Sequence, residues 1–175
     1  MNFNSFHLNP TVLANIVALG YEKPTPIQQQ TIPIIMQGKD VMGLAQTGTG
    51  KTAAFALPII QRLLKGPRNV LRALVIAPTR ELAQQIHEAI CEYAQGTHLR
   101  SVTLYGGVNI NPQIKSLAHG VDIAVGCPGR ILDHIQQRTI NLSKVEVLVL
   151  DEADQMFDMG FLPDIRKLVR FVPKQ

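Results

Sequence analysis

The segment Ala45-Gln46-Thr47-Gly48-Thr49-Gly50-Lys51-Thr52 carries residue types that can grip a polyphosphate. It follows the phosphate-loop pattern G-x-x-x-x-G-K-[ST], with Ala45 in place of the first glycine and an additional Gly48 inside. Glycines let the main chain curl until several N–H groups face one anion. A helix opening at Lys51 adds its positive end. The Lys51 ammonium reaches the β- and γ-phosphates of a nucleotide, and the Thr52 hydroxyl is placed to ligate Mg²⁺. The competing reading is a glycine-rich turn with an incidental Lys-Thr pair. It does not account for a strand before the loop and a helix after it.

A second group of chemical side chains is Asp151-Glu152-Ala153-Asp154, directly after the apolar run Val145-Glu146-Val147-Leu148-Val149-Leu150. An acid at the end of a buried strand faces the crevice where α/β sheets bind ligands. Asp151 would hold Mg²⁺, partly through water, and Glu152 would orient and activate an attacking water. Alone, this tetrad reads more simply as a solvated acidic turn or a helix cap. Joined to a phosphate loop, it reads as the metal and water site of phosphoryl transfer.

The elements that must position these groups alternate along the chain. Strands are expected over 41–45, 73–77, 102–105, 121–125 and 145–150. Helices are expected over 51–64, 80–93, 112–117, 130–137 and 162–171, with two more, 10–19 and 27–36, ahead of the first strand. Near-continuous apolar strands alternating with helices indicate an α/β fold whose mostly parallel sheet has helices on both faces. The turn at 65–69, with Arg62 and Arg72 nearby, reads as a solvated loop.

Composition bounds the function class. Hydrophobic residues make up 46% and charged residues 17%, which excludes disorder as the main state. The 175 residues fit one domain, two at most. Cys91 and Cys127 stand far apart with no CxxC partner, so a disulfide framework or structural zinc site is not expected and a reducing, cytoplasmic setting fits. No apolar run approaches the roughly 20 residues of a membrane span, and no signal peptide is read at the N-terminus. The net charge of +4 is compatible with a nucleic-acid partner. Aromatics are only 5%, with no tryptophan, so contacts to such a partner should rely on phosphates and sugars more than on base stacking.

Taken together, these residues resemble the DEAD-box ATP-dependent RNA helicases, and most closely their bacterial members. Asp151-Glu152-Ala153-Asp154 is similar to the signature that names the family, and Ala45 to Thr52 to its form of the phosphate loop, with alanine first. The resemblance implies the RecA-like phosphate-loop NTPase fold, ATP and Mg²⁺ as ligands, and RNA as partner. It makes Lys51, Asp151 and Glu152 catalytic, puts Gln46, Thr47, Gly48, Thr49, Gly50, Lys51 and Thr52 on the nucleotide, and gives Asp154 a coupling role. Gly20-Tyr21-Glu22-Lys23-Pro24-Thr25-Pro26-Ile27-Gln28 resembles the adenine-reading motif, in which Gln28 bonds the adenine edge and Tyr21 packs on the base. Phe3 matches its isolated upstream aromatic. The Gln28 amide offers the donor and acceptor that adenine requires. Without the likeness it reads as a polar helix residue.

Three further segments resemble RNA-contact motifs: Pro78-Thr79-Arg80-Glu81-Leu82, Gly106-Gly107 and Cys127-Pro128-Gly129-Arg130. The first and third open helices after strands, where free N–H groups can take backbone phosphates, with charge from Arg80 and Arg130. Helix capping calls for the same Thr and Pro placement and stands as an equal reading. One departure is Cys127, where the family usually has threonine.

By the same likeness, residues 1–37 form an adenine-recognition helical lead and 38–175 a RecA-like ATP-binding domain. The chain stops before the strand ending in Ser-Ala-Thr and before a second RecA-like domain. That strand would lie between the phosphate-loop strand and the acidic strand, so a frayed or rearranged sheet is expected. The leading function is RNA-dependent ATP hydrolysis coupled to local RNA duplex unwinding with little sequence preference, and the isolated chain is expected to be weakly active or inactive. The alternatives are a nucleotide-dependent RNA-binding module without turnover and a different phosphate-loop nucleic-acid ATPase. No membrane partner is expected.

Overall fold

The computed structural model describes residues 2–174, which form two compact units. One comprises the chain up to Gly66 together with Ala89–His98, and the other comprises Pro67–Glu88 and the chain from Leu99 onward. The first unit is helical. After a 3₁₀ turn at Phe3–Phe6 come α1 (Pro10–Ala18), α2 (Pro26–Met36) and α3 (Lys51–Leu63).

Each start has a local cause. Asn9 caps α1, its Oδ1 accepting the Thr11 N–H at 2.9 Å, and Pro10 supplies a preset φ in the first turn. Thr25 is the extended N-cap of α2 and Pro26 opens it. Gln28 reaches back so that its Oε1 accepts the Thr25 N–H at 2.9 Å. Val12, Ile16, Ile32, Leu57, Ile60 and Leu63 are buried to 0% exposure, which makes the apolar faces of α1, α2 and α3 the core of this unit.

The second unit is built on a parallel sheet of four strands in the order β2-β3-β1-β4. These are β1 (Ala73–Ile76), β2 (Ser101–Leu104), β3 (Ile123–Gly126) and β4 (Val147–Leu150). Between and after them lie α4 (Arg80–Tyr93), whose last residues belong to the helical unit, α5 (Asn111–Ala118), α6 (Pro128–Gln136), α7 (Ala153–Asp158) and α8 (Leu162–Val169). The central strands β1 and β3 are buried throughout, and the edge strand β2 alternates in burial. Leu74, Ile76, Leu104, Ala124, Ile131, Met156 and Leu168 lie in one core cluster with Leu148 and Leu150 packed against it.

Charge fixes the amino ends of the strands. Asp122, 1% exposed, accepts the Asn69 N–H at 3.0 Å on Oδ1 and the Arg100 N–H at 2.9 Å on Oδ2. Arg72 Nε donates to Glu146 Oε1 at 2.6 Å, tying the approach to β1 to the approach to β4.

The α/β class, the parallel sheet and four of the five expected strands stand. The expected strand at 41–45 does not form: residues 41–46 carry no regular structure, and Met42 and Leu44 are 91% and 92% exposed. An apolar run becomes a strand only where a neighbour takes its N–H and C=O groups. None of the four ladder strands pairs with it, and β4 is the last strand at its edge of the sheet, partly exposed along its length. A frayed or rearranged sheet was the expectation. The short helix α7, directly after the acidic pair, was not foreseen.

Candidate functional site

In the helical unit, the loop before α3 is an open cradle. Gly48 and Gly50 have φ of +81° and +87°, the left-handed region that glycine occupies without strain. The Thr49 hydroxyl closes the turn by donating to the Gln46 carbonyl at 2.7 Å. Helix α3 begins at Lys51 with Gly50 as N-cap and no capping side chain, so its first N–H groups are left for another acceptor. A Cβ at Gly48 would meet nothing within 4 Å, so the tip of the loop is uncovered. Gln46, Thr47 and Gly48 are exposed and Lys51 and Thr52 half-buried. Curled glycines, an uncapped helix of 13 residues and an ammonium at its start suit a polyphosphate.

Behind the cradle, Gln28 is 1% exposed. Besides the bond to Thr25, its Nε2 donates to the Gly50 carbonyl at 3.1 Å. Each end of the amide thus has one partner in the chain and keeps one lone pair or one N–H in hand. A Cβ at Gly50 would come within 2.4 Å of that Nε2, so any larger residue there would displace the Gln28 amide, besides straining the φ of +87°. Tyr21 is half-buried. Its ring meets Phe3 and Tyr93 edge-on, each at 5.9 Å, and its hydroxyl lies 2.6 Å from that of Tyr93. Phe3, 3% exposed, props Tyr21 from inside. Burial first, and then the Tyr21 hydroxyl, push the Tyr93 phenol well above its ordinary range.

In the sheet unit, the other candidate residues gather where the parallel strands end. The ladder extends one residue past the strands: Ala77 N–H donates to the Gly126 carbonyl, Cys127 N–H to Leu104 and Asp151 N–H to Ile76, each at 2.9 Å. After β1, Thr79 caps α4, its Oγ1 accepting the Leu82 N–H at 3.2 Å, so the capping reading is realised there. Arg80 is exposed, with its guanidinium carbon 4.9 Å from the centre of the Tyr105 ring. Gly106 and Gly107 follow β2 and are exposed, Gly107 at φ +76°. After β3, Pro128 is buried at the first position of α6 and Gly129 is exposed. The Arg130 side chain is 11% exposed. Its Nη2 donates to the Val108 carbonyl at 3.1 Å, its Nε lies 3.5 Å from Asp133, and its Nη1 is buried without a partner.

Cys127 is the N-cap of α6 and makes no side-chain cap bond. Burial, then the nearby Glu81 carboxylate, push its thiol up to about 11, so it is neutral at physiological pH. A hydroxyl accepts and donates hydrogen bonds better than a thiol. Cys127→Thr is therefore expected to stabilise the chain by about 1 kcal/mol through the cap and to tighten RNA binding. Chemical denaturation and RNA titration at fixed salt check the two effects, and unchanged RNA affinity counts against the contact.

After β4, Asp151 is 9% exposed and its Oδ1 accepts the Glu152 N–H at 3.1 Å. Glu152 is half-buried in the left-handed region at φ 51°, ψ 48°, where a non-glycine residue stores about 1–3 kcal/mol of strain. Asp154 is exposed in α7.

The model of the DEAD/DEAH box helicase family matches residues 25–175. The chain belongs to that family. It is 49% identical over 173 residues to the ATP-dependent RNA helicase CshA of Listeria monocytogenes, covering 99% of itself and 33% of that protein. It is 45% identical over 175 residues to the DEAD-box ATP-dependent RNA helicase CshA of Bacillus subtilis, covering 35% of it. The chain thus spans about a third of the length of these relatives. A crystal structure of a DEAD box protein from Methanococcus jannaschii superposes with a TM-score of 0.93 at 41% identity, over 99% of this chain and 47% of that one. The RecA-like fold follows from that agreement.

Within each unit, some of the expected residues meet. In the helical unit Phe3 contacts Tyr21, and Gln28 contacts Gly50. Thr79, Arg80, Gly106, Gly107, Pro128, Gly129, Arg130, Asp151 and Glu152 line the carboxyl ends of the strands in the other. Tyr93, Tyr105 and Gln113 were missed, and nothing in their local sequence marks them. Among the described residues no group of His, Cys, Asp and Glu could hold a metal by side chains of those types alone. No helix of the described residues is long and apolar enough to cross a membrane.

Proposed function

We propose that this chain is the ATP-binding motor portion of a DEAD-box RNA helicase, whose RNA-dependent ATP hydrolysis drives local separation of RNA duplexes. The observation that carries the reading is the open, uncapped glycine cradle at the start of α3, held from behind by Gln28. Gln46 to Gly50 receive the phosphates on main-chain N–H groups, and Lys51 holds the terminal phosphates by charge. Gln28 uses its remaining donor and acceptor on the adenine edge, beside Tyr21. Thr52 and Asp151 supply the oxygens for Mg²⁺, which when bound neutralises charge developing on the phosphates. Glu152 orients a water and takes its proton. Asp154 passes the nucleotide state on. Residues up to 37 serve adenine recognition, and the rest binds ATP and RNA.

Thr79, Arg80, Gly106, Gly107, Pro128, Gly129 and Arg130 hold the sugar-phosphate backbone, which carries no sequence information and suits general RNA remodelling. A second RecA-like domain in the longer protein completes the cleft. Cys91 and Cys127, neither of them in a disulfide, suit the cytoplasm.

ATP hydrolysis by the full-length protein, measured with single-stranded RNA and with DNA of the same sequence, tests the proposal. RNA is expected to raise the rate severalfold or more and DNA to leave it at the basal level. Equal stimulation by both would point instead to a general nucleic-acid ATPase.

A further inference from the structure

Tyr105 stands where three segments of the sheet unit meet. Its ring lies beneath the Arg80 guanidinium at 4.9 Å. Its hydroxyl donates to Gln84 Oε1 at 3.2 Å, one turn further along α4. Its carbonyl oxygen accepts from Gln113 Nε2 at 3.1 Å, on α5. Gln113 is 8% exposed, and its Oε1 lies 3.1 Å from Nε2 of the fully buried His134 on α6. His134 Nδ1 in turn lies 2.8 Å from the Thr139 hydroxyl.

The protonation pattern follows from this chain of contacts. Gln113 must present N–H to a carbonyl, so its oxygen faces His134, and His134 Nε2 is the donor. The single Thr139 hydroxyl proton is shared between Nδ1 of the neutral ring and the His134 carbonyl oxygen, 2.8 and 3.2 Å away. Burial, and secondly the Arg130 charge, hold the imidazole below its ordinary range and keep it neutral. The peptides of Gly106 and Gly107 are thus anchored on both sides, by Gln113 at Tyr105 and by Arg130 at Val108.

We propose that Tyr105 is a positioning residue for RNA-backbone recognition, its ring orienting Arg80 and its main chain set by the buried Gln113–His134 pair. The inference rests on the proposed binding of RNA along this rim. Stacking uses the flat face of the guanidinium and leaves its N–H edge free for phosphate oxygens. An arginine held this way loses less freedom on binding than one moving in solvent.

Binding of fluorescein-labelled single-stranded oligouridylate to the full-length protein, followed by anisotropy across a KCl series, tests this. Arg80→Ala and Tyr105→Leu are each expected to weaken binding about tenfold. Each should also reduce the slope of log K against log salt by about 0.7, the share of one phosphate contact on a single strand. The double variant should be no worse than either alone, and Tyr105→Phe should restore the slope. Gln113→Met, which fills the space but cannot donate to Tyr105, should weaken binding about threefold with affinity for a fluorescent ATP analogue unchanged. If Tyr105→Leu melts early, Tyr105→Met keeps the packed bulk without the aromatic face and gives the same readout. A wild-type slope in Tyr105→Leu or Tyr105→Met, or additive losses in the double variant, overturns the positioning role while the RNA reading stands. If the unmodified full-length protein fails to bind the oligonucleotide at low salt, the RNA reading itself fails and the inference falls with it.

Discussion

Glu152→Gln is expected to leave nucleotide bound and to lower ATP turnover by about 10²–10⁴-fold, the range of a lost general base. Glutamine has the same shape as glutamate and cannot take a proton from water. The surroundings give little reason for the turn to move. Glu152 is fixed through its main chain, its N–H on Asp151 Oδ1 at 3.1 Å and its left-handed φ of 51° set by the step from β4 into α7. No side-chain cap bond at this position is lost in the exchange. The effect should therefore fall on chemistry and spare binding. Single-turnover hydrolysis by the full-length protein, set beside its affinity for a fluorescent ATP analogue, separates the two. Turnover close to wild type would remove Glu152 from the role of base and favour a module that binds nucleotide without consuming it.

Gly126→Ala is expected to destabilise the chain sharply, because the added methyl has no room. Its Cβ would lie 2.4 Å from the Leu104 carbonyl oxygen, 2.9 Å from the Leu104 Cβ and 3.2 Å from Ile131 Cδ1. Two of these three atoms belong to β2, and one of them is backbone. Gly126 sits at the end of β3, in register with Leu104 on one side and Ile76 on the other, so β3 cannot shift without disturbing both ladders. Overpacking of this kind costs about 3 kcal/mol. At about 2–4 °C per kcal/mol for a domain of this size, the melting midpoint should fall by about 10 °C. Gly43→Ala is the control: its Cβ would find only Ile27 Cδ1, at an ordinary 3.5 Å, so the midpoint should move by less than about 2 °C, the scale of an unremarkable surface change. Equal midpoints for the two variants would show that β2 and β3 can part without penalty.

The central strands could be read from sequence because each is short, apolar at every position and bounded by turns. Ala73–Ile76 and Ile123–Gly126 meet that description and are buried throughout. Apart from α7, helix starts were legible to within two residues, with Pro10, Pro26 and Pro128 preset for first turns. The apolar run at 41–45 misled because a strand depends on a partner that its own residues cannot specify. The left-handed turn at Glu152 was illegible for a related reason: nothing in Asp-Glu-Ala-Asp demands φ of 51°, and tertiary context imposes it. At the candidate sites, glycines, charges and helix-opening residues stood out by type. Their supports did not. Gln28 on Gly50, Tyr93 on Tyr21 and Gln113 between Tyr105 and His134 join residues distant in sequence, and ordinary helix positions give no hint of such pairings.

The touching hydroxyls of Tyr21 and Tyr93 have a practical side. The chain has three tyrosines and no tryptophan, so its intrinsic ultraviolet emission comes from phenols alone. Two of them form this one pair in the helical unit, and the third, Tyr105, lies under Arg80. With no indole in this chain to outshine them, the pair gives the helical unit its own optical reporter, with no dye attached.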